Sequence, residues 1–367
     1  MTAGGRRPRV LLLTSGPLDR PSAADTRLAA AVAESVTDAD FTYFARWPSR
    51  GAPRPVERGR PVPWPAPDGS PGVPPPLLTA VVGAALARRA DLVHAVLDVD
   101  EDFAAYARLL PRLLRGRPVV HTVPGVADPR LLRGARPLGR TVALSAGTAR
   151  ELGAAGFGGV QVVPPAVRLE RWPFTARSPG PTPRVLALGR HGPHGGAEEA
   201  VRAAGAATRA GARFRLTLAL RPYGDRRARA QDAAPVRELA EREGLRDVEV
   251  LGRVPGMRDL VVSADVLLYL PGPPGLRPEV PLTVLEALST GRPVILGDHP
   301  EFAALGDAVL RAPVGDAART GRLVRQLLDR PHWWQVLAEQ GRAAVEERFG
   351  PRRCAEEYGR LYREAVR

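Results

Sequence analysis

Apolar and polar positions follow a strand-then-helix rhythm that runs through the chain twice. Residues 9–14 (RVLLLT) form a short apolar run ending at Ser15-Gly16, the pattern of a strand buried on both faces. Helical spacing follows over 23–36, then a second strand over 41–44. Helix 77–89, strand 91–95 (DLVHA), helix 101–115 and strand 118–122 (PVVHT) come next, then strand 141–145, helix 147–155 and strand 160–163. Residues 46–76 are dense in Pro, Gly and Arg and read as one long irregular connection. Residues 172–184 (WPFTARSPGPTPR) hold four prolines and break the rhythm, so the domain boundary is placed there. The second run starts with strand 184–190 (RVLALGR). It continues with helix 197–210, strand 213–220, helix 233–243, strand 247–251, helix 256–263 and strand 265–270. Helix 282–290 and strand 293–296 follow, and helices fill most of 316–366. Alternating β and α segments imply parallel sheets covered by helices on both faces, with ligands at the carboxyl edges of the strands. The expectation is an α/β chain of two Rossmann-like, doubly wound parallel-sheet domains facing across a cleft. The first spans 1–172 and the second 184–348, joined by a linker at 173–183, with a C-terminal helix over 349–367.

Composition narrows this picture. A chain of 367 residues with 44% hydrophobic residues can bury two cores. No segment reads as a signal peptide or a membrane span, which predicts a soluble, cytoplasmic protein. The one cysteine, Cys354, cannot staple the fold and fits a reducing compartment. Net charge is +14 and every positive side chain is arginine. The charge is spread over both halves and aromatics make up only 5%. That argues against dedicated nucleic-acid binding and leaves phosphorylated ligands or a peripheral membrane contact.

Several phrases then converge on one family. VPPAVRLERW (163–172) resembles the "IPPGVDLERF" that closes the first domain of family 4 glycosyltransferases, and SAGTAREL (145–152) resembles their "S-x-x-x-x-x-x-L". Leu188 to Arg190 resembles their "GR" turn, DVLLYLP (265–271) resembles "DVFVLPS", and LEALSTGRPVI (285–295) resembles "LEAMACGKPVI". Order and spacing agree over nearly the whole chain. The resemblance implies the GT-B architecture and retaining transfer from a nucleoside-diphosphate sugar, with no metal and no cofactor beyond that co-substrate. The donor would sit mostly on the second domain. A small-molecule or lipid-linked acceptor would sit mostly on the first, and the last helix, roughly 351–366, would pack back on the first.

Metal-free glycosyl transfer must stabilise a departing diphosphate, which helix N-termini and cations can do. Pro281 suits the first turn of helix 282–290 because it lacks an N–H, which leaves the amides of Leu282 and Thr283 for phosphate. Glu286 matches the family glutamate that holds the ribose hydroxyls; the alternative is a solvated helix glutamate. The family's partner glutamate falls on Pro278, with Glu279 one residue away as the catalytic candidate or an ordinary loop residue. Gly189 and Arg190 match the phosphate-binding turn. The family lysine beyond it falls on Gly195 or Gly196, and Arg277 is the candidate replacement cation; Arg226 and Arg227 are better read as solvated. In the first domain the family's Gly-Gly falls on Ala23-Ala24. Gly16 still offers a tight turn there, and Ser22 a helix cap. The family's catalytic histidine falls on Pro124; His121, three residues earlier, is either its stand-in or a buried strand histidine. Asp98 and Asp100 read as a helix entry, and Trp333-Trp334 as packing. His191 and His194 lack further metal ligands at recognisable spacing. Because Pro278, Gly195 and Pro124 depart from the family pattern, a catalytically silent nucleotide-sugar binder or partner subunit stands as the second reading.

Overall fold

The computed structural model describes residues 6–18, 24–45, 56, 59–64, 75–126, 128–175, 179–192, 194–221, 233–252, 254, 256–272 and 281–367. They fall into two compact units. The first runs to Arg168 and regains the chain from Phe349 to Arg367; the second draws on residues between Leu169 and Arg348.

The first unit is a seven-stranded sheet ordered β3-β2-β1-β4-β5-β6-β7. Its strands are β1 (Arg9–Leu13), β2 (Asp40–Ala45), β3 (Gly59–Pro63), β4 (Leu92–Val96), β5 (Val119–Val123), β6 (Arg140–Ala143) and β7 (Gln161–Val162). Every pairing is parallel. Helices α1 (Ala24–Ser35), α2 (Pro75–Ala87), α3 (Phe103–Leu114) and α4 (Ala146–Ala154) cross between strands. Ser145 caps α4, its Oγ accepting the amides of Gly147 and Thr148 at 3.0 and 3.3 Å. Strands such as LVHAV and VVHTV are buried at every position, which is why they are mostly apolar, with His94, His121 and Thr122 as buried polar exceptions.

β3 lies inside the stretch expected to be irregular, and it corrects that reading. It pairs with β2, placing Pro61 opposite Tyr43 and Pro63 opposite Ala45. It is the edge strand, where a proline's missing N–H can face outward without breaking the ladder. Trp64 anchors its end with an amide bond to the Ala45 carbonyl at 2.7 Å and an edge-on ring contact with Phe44.

The second unit is a six-stranded parallel sheet ordered β10-β9-β8-β11-β12-β13. Its strands are β8 (Arg184–Arg190), β9 (Arg215–Arg221), β10 (Val248–Leu251), β11 (Val266–Tyr269), β12 (Val294–Gly297) and β13 (Leu310–Ala312). Helices α5 (Ala197–Arg209), α6 (Ala234–Arg242), α7 (Met257–Ser263), α8 (Leu282–Ser289), α9 (Ala317–Asp329) and α10 (Pro331–Arg348) complete it. Trp334 is fully buried and donates its indole N–H to the Asp265 carbonyl at 2.7 Å, the packing role expected of it.

The last helix, α11 (Pro351–Val366), belongs to the first unit. It covers the face of the first sheet opposite α2 and α3, because β4 and β5 alternate their side chains across that sheet. His94 and Thr122 point towards it. His94 Nδ1 lies 2.7 Å from Tyr362 Oη and Nε2 lies 2.8 Å from Thr122 Oγ1, which is 2.9 Å from Tyr358 Oη. Ion pairs Arg363–Asp38 and Arg140–Glu364, both 2.8 Å, clamp the rim. Cys354 is buried on the same helix, and burial pushes its thiol up to about 12.

This interior makes the fold acid-sensitive. Burial, with some help from His121, pulls His94 down to about 3, and burial pulls His121 down to about 4. Both imidazoles are neutral in the folded protein, whereas the unfolded chain takes up their protons near pH 6.5. The unfolded state therefore binds more protons below that pH. Stability is full above about pH 6.5 and falls as pH drops towards 4, each imidazole costing roughly 1.4 kcal/mol per unit of pH. Urea midpoints at pH 7.5 and 5.0 check this: a clear fall is expected, and equal midpoints would contradict it.

Candidate functional site

In a doubly wound sheet, ligands bind beyond the strand carboxyl ends at the point where the strand order reverses. In the second unit that point lies between β8 and β11, so the turns after these strands matter most. β8 ends in Gly189 and Arg190, and the chain turns back at once. The Arg190 amide donates to the Gly195 carbonyl at 2.9 Å, and Gly196 makes an isolated parallel bridge with Arg190 before α5 begins. This is possible because the turn is built of glycine. Gly196 has φ 86°, and a Cβ there would sit 2.8 Å from the Leu270 carbonyl at the end of β11. A Cβ on Gly189 would sit 2.6 Å from the Gly195 carbonyl oxygen. Strand-end backbones thus pack without side chains between them, and neither Gly195 nor Gly196 has room for the family's lysine. Gly196→Ala combines a left-handed backbone with a backbone clash and is expected to cost about 3 kcal/mol. Denaturant unfolding reads this, and an unchanged midpoint would mean the turn is looser than described.

The Arg190 side chain makes no hydrogen bond or ion pair among the described residues and is only part-buried. Burial lowers the neighbouring His191, and His194 has φ 65°. Among the described residues no group of three or more His, Cys, Asp or Glu side chains is placed to hold a metal ion.

α8 follows β11 on the same edge. Pro281 is its N-cap residue, with extended backbone, and its carbonyl accepts the amides of Val284 and Leu285 at 2.9 and 3.3 Å. The amides of Leu282 and Thr283 stand at the helix start, where the helix itself supplies no acceptor. Leu282 and Val284 through Ser289 are buried. Glu286, one turn in, is only 7% exposed, so it is not the solvated glutamate of the alternative reading. The motif's basic residue, Arg292, is 2% exposed and points inward. It donates to the carbonyls of Val262 (2.8 Å), Thr290 (3.2 Å) and Thr175 (3.2 Å) and to Thr175 Oγ1 (3.1 Å). It therefore ties the segment entering the unit to the ends of α7 and α8.

Two further contacts join the turns around this edge. The Gly272 amide donates to the His194 carbonyl at 2.9 Å, and His299 Nε2 lies 2.8 Å from the Pro271 carbonyl. The turns after β8, β11 and β12 thereby hold one another. Neither His299 nor Arg292 was marked by sequence reasoning. Each reaches backbone carbonyls remote in sequence, Pro271 for His299 and Val262 and Thr175 for Arg292, and only Arg292 carried a signal, its place in LEALSTGRPVI.

In the first unit the equivalent point lies between β1 and β4. Thr14 Oγ1 donates to the Gly16 carbonyl at 2.7 Å, shaping the turn after β1. The Ser15 amide donates to Asp25 Oδ2 at 2.7 Å. Asp25 is 3% exposed at the start of α1, and burial raises its carboxyl above the usual range. Sequence reasoning missed it: the amide-rich start of this helix is already met by the chain's own carboxyl. His121 has no exposed surface. Its ring stacks on Phe103 at 5.2 Å and Nε2 lies 3.1 Å from the Leu97 carbonyl. It is the buried strand histidine of the two alternatives, and as placed it touches no substrate space. Asp100 Oδ1 accepts the Asp102 amide at 3.1 Å on the way into α3, as its helix-entry reading expects.

The structure thus brings Gly189, Arg190, Leu282, Thr283 and Glu286 to one edge of one sheet, and Gly16 and His121 to the other unit. Glu279, Arg277, Pro278, Ser22, Ala23, Arg226 and Arg227 lie outside the described residues.

Residues 182–330, which hold this edge, match the family model of glycosyl transferases group 1. No curated protein matches the sequence. Solved structures share the fold of the whole chain. Anabaena HepE, crystallised with UDP-glucose, superposes with a TM-score of 0.73 at 14% identity, covering 97% of this chain and 100% of that one. Sucrose-phosphate synthase from Thermosynechococcus elongatus gives 0.71 at 18% identity, covering 98% and 99%. A glycosyltransferase from Rickettsia africae gives 0.71 at 12%, covering 99% and 100%. The two parallel-sheet units are those of the GT-B fold, and the segment that matches the group 1 model carries the edge described above.

Proposed function

We propose that the chain moves a sugar from a nucleoside-diphosphate sugar to a small-molecule or lipid-linked acceptor, retaining anomeric configuration and using no metal. The carrying observation is that α8 starts, with the amides of Leu282 and Thr283 in its first turn, at the same sheet edge where β8 ends in Arg190. Such an end favours a diphosphate. In this reading Leu282 and Thr283 hold phosphate through backbone N–H groups. Arg190 and Arg277 supply positive charge, and Gly189 lets the backbone approach. Glu286 accepts the two ribose hydroxyls, and Glu279 faces the donor sugar. Gly16 shapes the first-unit turn. His121, closed in the core, is assigned no contact. HepE crystallised with UDP-glucose supports a nucleotide-sugar donor for this fold.

The glycine packing after β8 favours a second reading, a nucleotide-sugar binder without turnover, because it leaves no room for the family's lysine. Release of nucleoside diphosphate from a panel of UDP- and GDP-sugars, run with and without EDTA, separates the two. Turnover that survives EDTA is expected. Donor binding with no release in the presence of acceptor extracts would favour the silent binder, and activity abolished by EDTA would contradict metal independence.

A further inference from the structure

Away from the strand edges, a recess of about 400 Å³ opens between the carboxyl ends of α2 and α3 in the first unit. Ala84, Leu113 and Leu114 give it an apolar floor, and Arg88, Arg115 and Arg117 line its rim. Both helices end here just before their next strands begin, β4 at Leu92 and β5 at Val119. The recess is therefore at the amino edge of the sheet, opposite the edge where a Rossmann-like unit takes its ligands.

Three features set these arginines apart. None of the three has a carboxylate partner among the described residues. Elsewhere many surface arginines do, as in Arg202–Glu198, Arg325–Asp329 and Arg360–Glu364. Arg117 is also fastened, its Nη2 donating to the Arg88 carbonyl at 3.2 Å, so two of the charged residues are held together. Finally, Arg115 has φ 51°; among the described non-glycine residues only His194 shares that sign. The left-handed position after a helix is where glycine is the stable choice. An arginine there keeps a guanidinium at the recess against the backbone's preference.

The surroundings reinforce the field. Between Phe103 and Arg150 the chain carries nine arginines and a single acid, Asp128. That carboxylate is engaged with the Arg130 amide at 2.8 Å. Cations near helix carboxyl ends also complement the helix dipole. That accounts for charge at the two helix ends; it does not account for Arg117 in the loop or for a strained arginine in preference to glycine.

We infer that this recess binds the phosphate group of an organic phosphate. Guanidinium forks match phosphate oxygens, and the apolar floor receives the carbon portion. No aromatic side chain lines the recess, so the stacking platform of a single-strand nucleic-acid site is missing. The same chemistry comes from a lipid headgroup or from a soluble phosphate. Val81 on α2 and Leu109 on α3, 49% and 37% exposed, add apolar surface suited to the lipid source.

The test compares the full chain with Arg88→Gln/Arg115→Gly, and with Arg237→Gln/Arg242→Gln on α6 as a control of equal charge change. Glycine suits the backbone at 115, so the first variant should melt no lower than the wild type. Each protein is titrated with glycerol phosphate, and with vesicles of phosphatidylcholine with or without phosphatidylglycerol. The wild type is expected to bind one of the two phosphate probes. The recess variant should bind about thirtyfold more weakly, at roughly 1 kcal/mol per basic residue removed. The control should change little. Binding to phosphatidylglycerol vesicles alone identifies a lipid; binding to glycerol phosphate identifies a soluble ligand. No binding to either probe, or equal losses in the recess variant and the control, would overturn the inference. So would displacement of the probe by a single-stranded oligonucleotide with the same dependence on Arg88 and Arg115.

Discussion

Replacing Glu286 with glutamine is expected to weaken nucleoside-diphosphate binding by about tenfold to a hundredfold while leaving the fold standing. A carboxylate can accept both hydroxyls of a ribose diol, whereas an amide keeps one acceptor and presents a donor where the second hydroxyl also donates. Charge-assisted hydrogen bonds of this kind carry roughly 1.5–3 kcal/mol each. Glu286 is nearly closed from solvent, so glutamine, which conserves its volume, is a cleaner change than alanine. The effect also has a signature that lost stability would not produce. Wild type should prefer UDP over its 2′-deoxy analogue, and Glu286→Gln should lose most of that preference, giving a measurable coupling. Calorimetric titration of both nucleotides into both proteins reads the four affinities. Equal discrimination by wild type and variant would remove Glu286 from the ribose.

Replacing Arg292 with alanine is expected to be the most destabilising of these changes, at about 3 kcal/mol or more. The guanidinium is buried and bonded to four carbonyls and a hydroxyl drawn from the Thr175 segment, the end of α7 and the end of α8. Truncation leaves those acceptors without their donors and opens a cavity between the elements they belong to. The second unit should melt about 10 °C lower. Lysine keeps the charge but has no planar fork, so Arg292→Lys should recover only part of the loss. A melting temperature within a degree or two of wild type for Arg292→Ala would show that these bonds do not hold the unit together. Because Arg292 sits inside the phrase that most resembles a donor-binding motif, this experiment also separates the motif's structural part from its chemical part.

How legible all this was depended on how local each cause is. β4, β5, β11 and β12 were plain because a strand buried on both faces is mostly apolar, and a short run of that kind has few other uses. α8 was legible from Pro281 and from LEALSTGRPVI. β3 was not, because Pro61 and Pro63 signal irregular chain unless the strand is known to lie at an edge. His94 was also beyond reach. Its Tyr362 partner lies 268 residues away, so no periodicity links them. Asp25 carries no signal in the sequence, since an acidic residue in a first helical turn is ordinary, and only the turn after β1 shows it buried and bonded to Ser15. The glycines at 195 and 196 looked like the loss of a lysine. In the structure they are what lets the β8 turn lie against the end of β11.

The central claim is that the start of α8, beside Arg190, grips a nucleoside diphosphate. Isothermal titration of UDP and GDP into the wild-type chain in EDTA tests it most directly. The account predicts saturable one-to-one binding of at least one of them, weakened in Glu286→Gln and in Arg190→Gln. No heat and no saturation with either nucleotide, or binding that both variants leave unchanged, would contradict it.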